Sequence, residues 1–389
     1  MEINYDQDAK FLSQWYLEDS PEAVLLCEYP SSNSNATVLR NSKKHIIHDP
    51  FPPPNPSLLK TLGPHHLMFG WGDELAVTSQ IPPSTQLTEH WEKLLGSGAT
   101  PIWNRFSLDD HQSKYLVLFP HEAIAAEQQW VDPDVNYQLH SKEVIANIDC
   151  PQPKSLPRVE PPCMVKLSHG YAGLGNYLVR SGEDVSSMNR ELSRNWPNAK
   201  LVVTEVIERI VGDFGVQFYL KRDGSVDWLG VTEQHFDKNG RWCGGRYNAS
   251  SQKACGEKFK SIILAVSKYL HQRQSFGVIG IDILETSDGD LFLVDVNPRL
   301  TGITPFVMAA RCIEKANGFQ EGLYCASCKF PGSARSLLSQ IESSRDEVKL
   351  AVLSFFEDPQ NSVTVCHLAA YSNCPEANIH AIRSVLNTT

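Results

Sequence analysis

"LFLVDVNPRLTG", residues 291–302, begins as a strand rich in branched apolar residues and then sets Asp295, Asn297 and Arg299 on alternate positions. Successive side chains of a strand point to opposite faces, so these three share one face while Val294 and Val296 turn the other way into a core. Just upstream, GIDILETSDGD carries Asp282 on a strand leading into Asp288-Gly289. Asp-Gly between alternating apolar residues is the strongest short-range hairpin signal. Asp282 and Asp295 stand at matched offsets of about six residues from that turn, where an antiparallel hairpin brings Cβ atoms to about 4.5–5.5 Å. Like charges so placed repel, and two carboxylates beside an amide oxygen form a hard donor set for Mg²⁺ or Mn²⁺. Arg299 adds nothing to bare metal binding, but a guanidinium grips phosphate oxygens bidentately. The alternative is an ion cluster on a solvated edge strand.

Around this hairpin the chain has 389 residues, room for two or three domains, and a formal charge of −10. That balance offers no basic footprint for nucleic acid or an anionic membrane surface. The start, MEINYDQDAKFLSQWYLEDS, lacks the charge and apolar run of a secretory signal, and no window has the length of a membrane span. A cytoplasmic protein is expected. Ten cysteines are too dilute for a disulfide framework and read mostly as small buried hydrophobes. Cys325-Ala-Ser-Cys328 alone has the local spacing of half a zinc site, and Cys366, His367 and Cys374 are irregularly spaced for the other half.

Residues 1–135 alternate apolar runs (Ala23 to Cys27, His66 to Phe69, Lys114 to Phe119) with helical stretches (LTEHWEKLLGSG, HEAIAAEQQW), the cadence of an α/β sheet, interrupted by the proline clusters HDPFPPPNP and QIPPST. After a short helix candidate, SKEVIANI, and a third proline cluster, the pattern turns strand-rich. LKRDGSVDWLG and ILETSDGDLFLVDV form hairpins, and KFKSIILAVSKYLHQR forms a helix across a mostly antiparallel sheet. From about 303 the chain reads as helix, loop, helix, the strand SVTVCHLAAY, and a last helix capped by Ser372 or Asn373 ahead of Pro375.

Two further stretches carry chemistry. In VKLSHGYAGLGNYLV, residues 165–179, Lys166 and His169 accompany Gly170, Gly173 and Gly175 between two apolar strands. Glycines let backbone N–H groups approach an anion closely. The pattern is neither a P-loop nor a dinucleotide fingerprint. It fits a glycine lid over a triphosphate, with Lys166 as a point charge, or a plain glycine hairpin. In KLVVTEVIERIVGDFGVQFYL, residues 200–220, Glu205, the backbone of Val206 and Ile207, and Asp213 offer what a purine and a ribose require. The same segment also reads as a strand running into a loop.

In this order, these pieces resemble the ATP-grasp superfamily from about Lys142 to Gly302: Lys166 before the glycine loop, the hinge Thr204-Glu205-Val206-Ile207, and the hairpin Asp282 with Asp295-Val-Asn297-Pro-Arg299. The resemblance implies a mixed α/β and α+β architecture: an α/β pre-ATP-grasp domain (1–135), an ATP-grasp domain (136–310) with its lid at 163–207 and metal hairpin at 277–302, and a C-terminal extension (311–389) completing the second lobe. It implies Mg²⁺-ATP as cofactor, with Lys142 and Lys166 on phosphates and the loop from Gly170 closing over them. Glu205, Val206 and Ile207 would meet adenine, Asp213 the ribose, and Asp282, Asp295 and Asn297 would hold Mg²⁺. Arg299 would stabilise the transferred phosphoryl group or a substrate carboxylate, and Arg246, in Trp242-Cys-Gly-Gly-Arg-Tyr-Asn248, an anionic substrate group. The implied reaction is amide or peptide bond formation between a small carboxylic acid and an amine, an amino acid or peptide in kind, through an acylphosphate, with homo-oligomers compatible; the alternatives are an ATP-binding regulatory or scaffold protein without ligase turnover, or a phosphotransferase. Lys142 lies closer in sequence to Lys166 than usual, and Asp295 stands where many members have glutamate.

Overall fold

The structure is a computed structural model, and it describes residues 2–5, 8–32, 39–48, 55–170, 175–238, 240–342, 347–358 and 360–387. After β1 (Ile3–Asn4) and α1 (Leu12–Asp19), the strands β2 (Ala23–Leu26), β3 (Val77–Ser79), β4 (Trp103–Arg105) and β5 (Lys114–Val117) form a parallel sheet in the order β4–β3–β2–β5. Its helices are α2 (Pro56–Met68) and α3 (Thr85–Leu95). The Ser84 side chain caps α3 by accepting the Leu87 N–H, and Gly96 (φ +92°) ends it, a left-handed conformation glycine adopts without strain.

Two expectations fail in this region. His66 to Phe69 is no strand; it closes α2. HEAIAAEQQW holds only a single 3-10 turn, Ala126–Gln128. The Gln129 amide ties the carbonyls of His121 and Ile124, and the Trp130 N–H bonds to Tyr115 O, so the segment is pinned to β5 instead of coiling.

Helix α4 (Pro133–Leu139) and a short 3-10 helix, Lys142–Asn147, lead to β6 (Cys163–Leu167), β7 (Asn176–Val179), α5 (Gly182–Asn195) and β8 (Leu201–Thr204). The three strands form a small antiparallel sheet, β7–β6–β8, with its own core of Val165, Leu167, Val179, Met188, Leu192 and Trp196. The main sheet follows. It comprises β9 (Ile210–Leu220), β10 (Val226–Phe236), β11 (Trp242–Asn248), then helix α6 (Gln252–His271), β12 (Gly277–Thr286) and β13 (Leu291–Asn297). It continues through helix α7 (Thr304–Asn317), β14 (Glu321–Pro331), helix α8 (Ala334–Glu342), β15 (Lys349–Asp358) and β16 (Val363–Ser372), before α9 (Pro375–Leu386). The order is β13–β12–β9–β10–β11–β14–β16–β15, with β1 added parallel to β10.

Helix α6 covers one face of this sheet, burying Phe259, Ile262, Ile263 and Val266 against Val216, Phe218, Ile279 and Ile281. Each such side chain contributes roughly 1.5–3 kcal/mol of apolar burial. The other face shares a core with α1, α2, α3 and α7. Strands β14 and β15 were not expected from the sequence. The last helix begins one residue later than read: Cys374 is its N-cap, and Ser372 Oγ accepts the Cys374 N–H instead of capping the helix. Among the described residues, no helix is long and apolar enough to cross a membrane.

Candidate active site

The β12–β13 hairpin pairs Asp282 directly with Asp295, Ile281 with Val296 and Gly280 with Asn297. Between Asp282 and Ile283 the register shifts, so that Ile283 faces Leu293 and Val294 is an extra residue. The expected alternation therefore breaks at a β-bulge, which re-aims side chains next to it. Leu293 and Val296 fill the core, whereas Val294, expected there, lines a cleft and offers its carbonyl to Lys166 Nζ at 2.9 Å.

Lys142 Nζ lies 2.6 Å from Asp295 Oδ2, and Gln234 on β10 donates to Asp282 Oδ1 at 2.8 Å. Arg299 donates to Asn297 Oδ1 and to the Leu300 carbonyl, both at 3.0 Å, with its guanidinium 4.6 Å from the Phe119 ring centre. Lys142 reaches the hairpin because its own N–H bonds to Ser168 O and Ser141 Oγ meets Ser168 Oγ, docking its turn onto the end of β6. The chain therefore brings Lys142, Lys166, Asp282, Asp295, Asn297 and Arg299 together. Gln234 was not anticipated. Its period-two relation to Thr232, which pairs with Gly215 beside Asp282, was the available signal.

The charges act on one another strongly. Burial, then the facing Asp295 and Asp213, push the Asp282 carboxyl far above the usual carboxylate range. Burial works the same way on Asp295, but Lys142 and Lys166 outweigh it and hold that carboxyl below its ordinary value. Burial raises Asp213 to about 6 against the pull of Lys166. Lys166 is itself lowered by burial and by Lys142, with the three aspartates opposing. Two ammonium groups thus counter three carboxylates in a dry site, an arrangement responsive to an added cation or polyanion.

Among the described residues, no group of three or more His, Cys, Asp and Glu is arranged to hold a metal. The donor set is two carboxylates and the Asn297 amide. It fits Mg²⁺ in that ion's usual manner, one or two carboxylates with the remaining positions left to phosphate oxygens and water.

A cleft of about 220 Å³ lies between this hairpin and the small sheet. Ile145, Leu156, Val203 and Leu293 give it apolar walls, and Lys142 and Lys166 stand at one side. Lys154 to Leu156 pair with the end of β8: Leu156 N–H bonds to Val203 O, Glu205 N–H to Lys154 O, and the Lys154 N–H to Glu205 Oε1. Glu205 thus already accepts one backbone donor. Val206 and Ile207 continue past β8 as half-buried chain, and Asp213 sits on β9 opposite Leu284.

In the glycine loop, His169 stacks on Tyr137 with ring centres 3.9 Å apart and bonds its carbonyl at 3.0 Å. Burial lowers this imidazole to about 4, so it anchors the loop as a neutral ring. The Gly170 N–H bonds to Leu167 O. Gly175 has φ +75°, and a Cβ there would fall 2.2 Å from Leu167 Cδ1, so a side chain at this position would strain the backbone and displace Leu167. Gly173 lies outside the described residues.

Arg246 is the exception among the expected residues. It pairs in register with Glu233, whereas the adjacent Gln234 points to Asp282, so period two puts Arg246 on the opposite face of the sheet. There its Nε and Nη2 both lie 3.1 Å from Glu321 Oε2, and Asn248 holds the other oxygen at 2.6 Å. Arg246 fixes β11 to β14 and is not brought to the carboxylates.

Residues 143–297 match a family model described as L-aspartate--L-methionine ligase, ATP grasp. A curated relative, the butirosin acyl-carrier protein L-glutamate ligase of Niallia circulans, is 23% identical over 143 residues, 36% of this chain and 34% of that protein. The chain thus matches about a third of that relative's length. Among solved structures, an ADP complex of N5-carboxyaminoimidazole ribonucleotide synthetase aligns over 94% of this chain and 96% of its own, with TM-score 0.56 and 12% identity. The Staphylococcus aureus N5-carboxyaminoimidazole synthetase complexed with ADP aligns over 98% and 99%, with TM-score 0.53 and 12% identity. Biotin carboxylase from Campylobacter jejuni aligns over 94% and 91%, with TM-score 0.53 and 9% identity. These likenesses concern the fold.

Proposed function

We propose that the chain, which shares the ATP-grasp fold of its solved neighbours and matches an ATP-grasp ligase model over residues 143–297, is an ATP-dependent carboxylate–amine ligase, joining a small carboxylic acid to an amine with formation of ADP. The observation that carries this reading is the facing pair Asp282 and Asp295, met by Lys142 and Lys166 at the mouth of an apolar cleft. A scaffold that only bound nucleotide would have no need of opposed buried carboxylates, whose repulsion costs stability unless a cation is shared there.

In this reading the cleft takes adenine, with Glu205 and the backbone of Val206 and Ile207 along its edge and Asp213 toward the ribose. Lys142 and Lys166 neutralise phosphate oxygens, and the loop from Gly170 to Asn176 excludes water above them. Asp282, Asp295 and Asn297 hold Mg²⁺. When bound, that ion supplies charge neutralisation between neighbouring phosphates. Arg299, planar and fixed by Asn297 and Leu300, presents its guanidinium to the transferred phosphoryl group or the substrate carboxylate. The carboxylate attacks the terminal phosphate to give an acylphosphate, and the amine displaces phosphate from it. Positioning and electrostatics perform most of such a transfer, so no side-chain nucleophile is required.

The match to an L-aspartate–L-methionine ligase model and the likeness to an acyl-carrier protein L-glutamate ligase both direct the choice of substrates toward amino acids. The test is incubation with Mg²⁺-ATP, hydroxylamine and pools of amino acids and other carboxylic acids. Hydroxamate and ADP that appear only with a particular acid support an acylphosphate. Tight ATP binding without turnover across broad pools refutes it.

A further inference from the structure

The Cys325-Ala-Ser-Cys328 motif plays no part in the ATP site, and MgATP chemistry does not account for it. It sits on β14 at a register shift: Cys325 pairs with Leu368 and Cys328 with Cys366, so three steps on β14 span two on β16. Ser327, the turning residue, has φ +54°, which folds the two cysteines toward each other. The Cys328 thiol lies within hydrogen-bonding reach of the Cys325 sulfur and 3.6 Å from the Cys325 carbonyl. Cys243 and Cys366 stand nearby, yet these thiols form no metal-holding group among the described residues. Both motif cysteines are half-buried beside exposed Ser327 and Lys329, which leaves them open to a small reagent.

We propose that Cys325 and Cys328 are a redox-modification site, closing to a disulfide under oxidising conditions and altering the loop after β13 that carries Arg299. Cys325 is the suitable attacking group. The hydrogen bond from Cys328 lowers its thiol, whereas burial pushes Cys27, Cys150, Cys255, Cys312 and Cys366 up and keeps them protonated. The Cys325 thiol gives its proton to solvent, and the thiolate attacks one sulfur of a low-molecular-weight disulfide. One thiol leaves and a mixed disulfide remains. The Cys328 thiolate then attacks the Cys325 sulfur and expels the second thiol, so that two protein thiols and one small disulfide become one protein disulfide and two small thiols.

The consequence follows from what the bulge touches. The Tyr324 hydroxyl meets His367 Nδ1 at 2.7 Å, and the Ser327 N–H points at the same nitrogen from 3.4 Å. His367 packs on His66, ring centres 4.5 Å apart, and His66 Nε2 bonds the Gly302 carbonyl at 2.7 Å. Trp242, which packs on Tyr324, also fills the space beside Gly302, where a Cβ would meet it at 3.0 Å. Drawing the sulfurs to the roughly 2.05 Å of a disulfide must tighten the bulge between Tyr324 and Ser327. The shift passes through the two packed imidazoles to Gly302, in the loop after β13 that carries Arg299.

The experiment equilibrates the full chain with oxidised and with reduced glutathione, then combines peptide mapping, hydrogen exchange and turnover. A Cys325–Cys328 disulfide, slower or faster exchange at residues 300–304, and loss of both in Cys325→Ser and Cys328→Ser but not in Cys243→Ser are expected. Failure to form that disulfide, formation of Cys328–Cys366 instead, or unchanged exchange at 300–304 would each overturn the inference. The turnover change, roughly threefold or more on the scale that packed networks transmit, rests on the ligase reading. If neither form turns over while mapping and exchange respond, that reading fails and the redox site stands.

Discussion

Replacing Lys142 by methionine tests whether the hairpin's charge arrangement is as tight as its geometry requires. Methionine keeps much of the stem and removes the ammonium, which lies 2.6 Å from Asp295 Oδ2 with only 8% of the lysine side chain exposed. At an effective dielectric of about 20, such a pair attracts by about 6 kcal/mol before desolvation is subtracted. Removing one partner of a buried pair typically costs about 3–5 kcal/mol, because the survivor is left uncompensated. Asp295 keeps 21% of its side chain exposed and retains Lys166 and Arg299, which places Lys142→Met at the lower end, about 3 kcal/mol. Asp295→Asn also removes the repulsion from Asp282, so it costs less. Lys142→Met in that background costs under about 1 kcal/mol, since its partner is already neutral. Urea unfolding of the four proteins at pH 7.5, followed by tryptophan fluorescence, gives the coupling energy. The pH sign is fixed by the depressed Asp295 value: the pair's contribution is complete above the unfolded carboxylate pKa and disappears as pH falls through the lower folded one. A coupling below about 0.5 kcal/mol, with the single effects simply additive, would refute the ion pair as drawn.

Asp282→Asn should lower ATP turnover by about a hundredfold or more while leaving stability equal or slightly raised, because an isosteric amide ends the repulsion with Asp295; unimpaired turnover would remove Asp282 from the metal set. Gly175→Ala forces a Cβ into Leu167 at a left-handed φ and should weaken ATP binding by about tenfold or more in calorimetric titration, with wild-type affinity counting against the loop's role. Arg246→Gln should leave turnover within about twofold and cost at most about 1 kcal/mol, since the pair it breaks with Glu321 is partly exposed and on the far face; a large activity loss would return Arg246 to the site. Burial lowers His66 and His90 to about 4 and His121 and His140 to about 3, so the folded state binds fewer protons than the unfolded one between those values and about 6.5. Stability is therefore complete above pH 6.5 and falls below it, by about 1.3 kcal/mol per histidine between pH 7.5 and 5.5, and His121→Leu should reduce that slope by one histidine.

Much of the fold was legible because its signals are local. Asp-Gly turns fixed both β-hairpins, and the apolar period of KFKSIILAVSKYLHQR fixed α6. The misreadings occurred where tertiary contacts decide. HEAIAAEQQW has helical composition but is tied to β5 through Gln129 and Trp130. HHLMF is apolar enough for a strand, yet it ends a helix begun at Pro56 and capped by Asn55. Strand β14 is hidden by its own bulge, since the shift at Cys325–Cys328 destroys the alternation that would identify it, and KLAVLSFFED is a continuous apolar run without periodicity.

The same cause limited the reading of the site. Facing Asp282 and Asp295 followed from counting outward from the turn, and that pairing is observed. Counting cannot register the extra residue at Val294, because a bulge leaves the flanking pairs in place on one side and displaces them on the other. Were β13 regular, Val294 would point into the core beside Val296, and Lys166 would face a closed ladder. With the bulge, the Val294 carbonyl is released from pairing, receives Lys166 Nζ, and leaves the side chain to wall the cleft. Arg246 shows the converse: the pairing runs without a shift from Glu233–Arg246 to His235–Gly244, and it is this local regularity that carries the arginine to the face opposite Asp282. Whether a charged residue on these strands joins the site is thus decided by sheet register, which depends on pairings with distant segments and not on the residue's own neighbours in sequence.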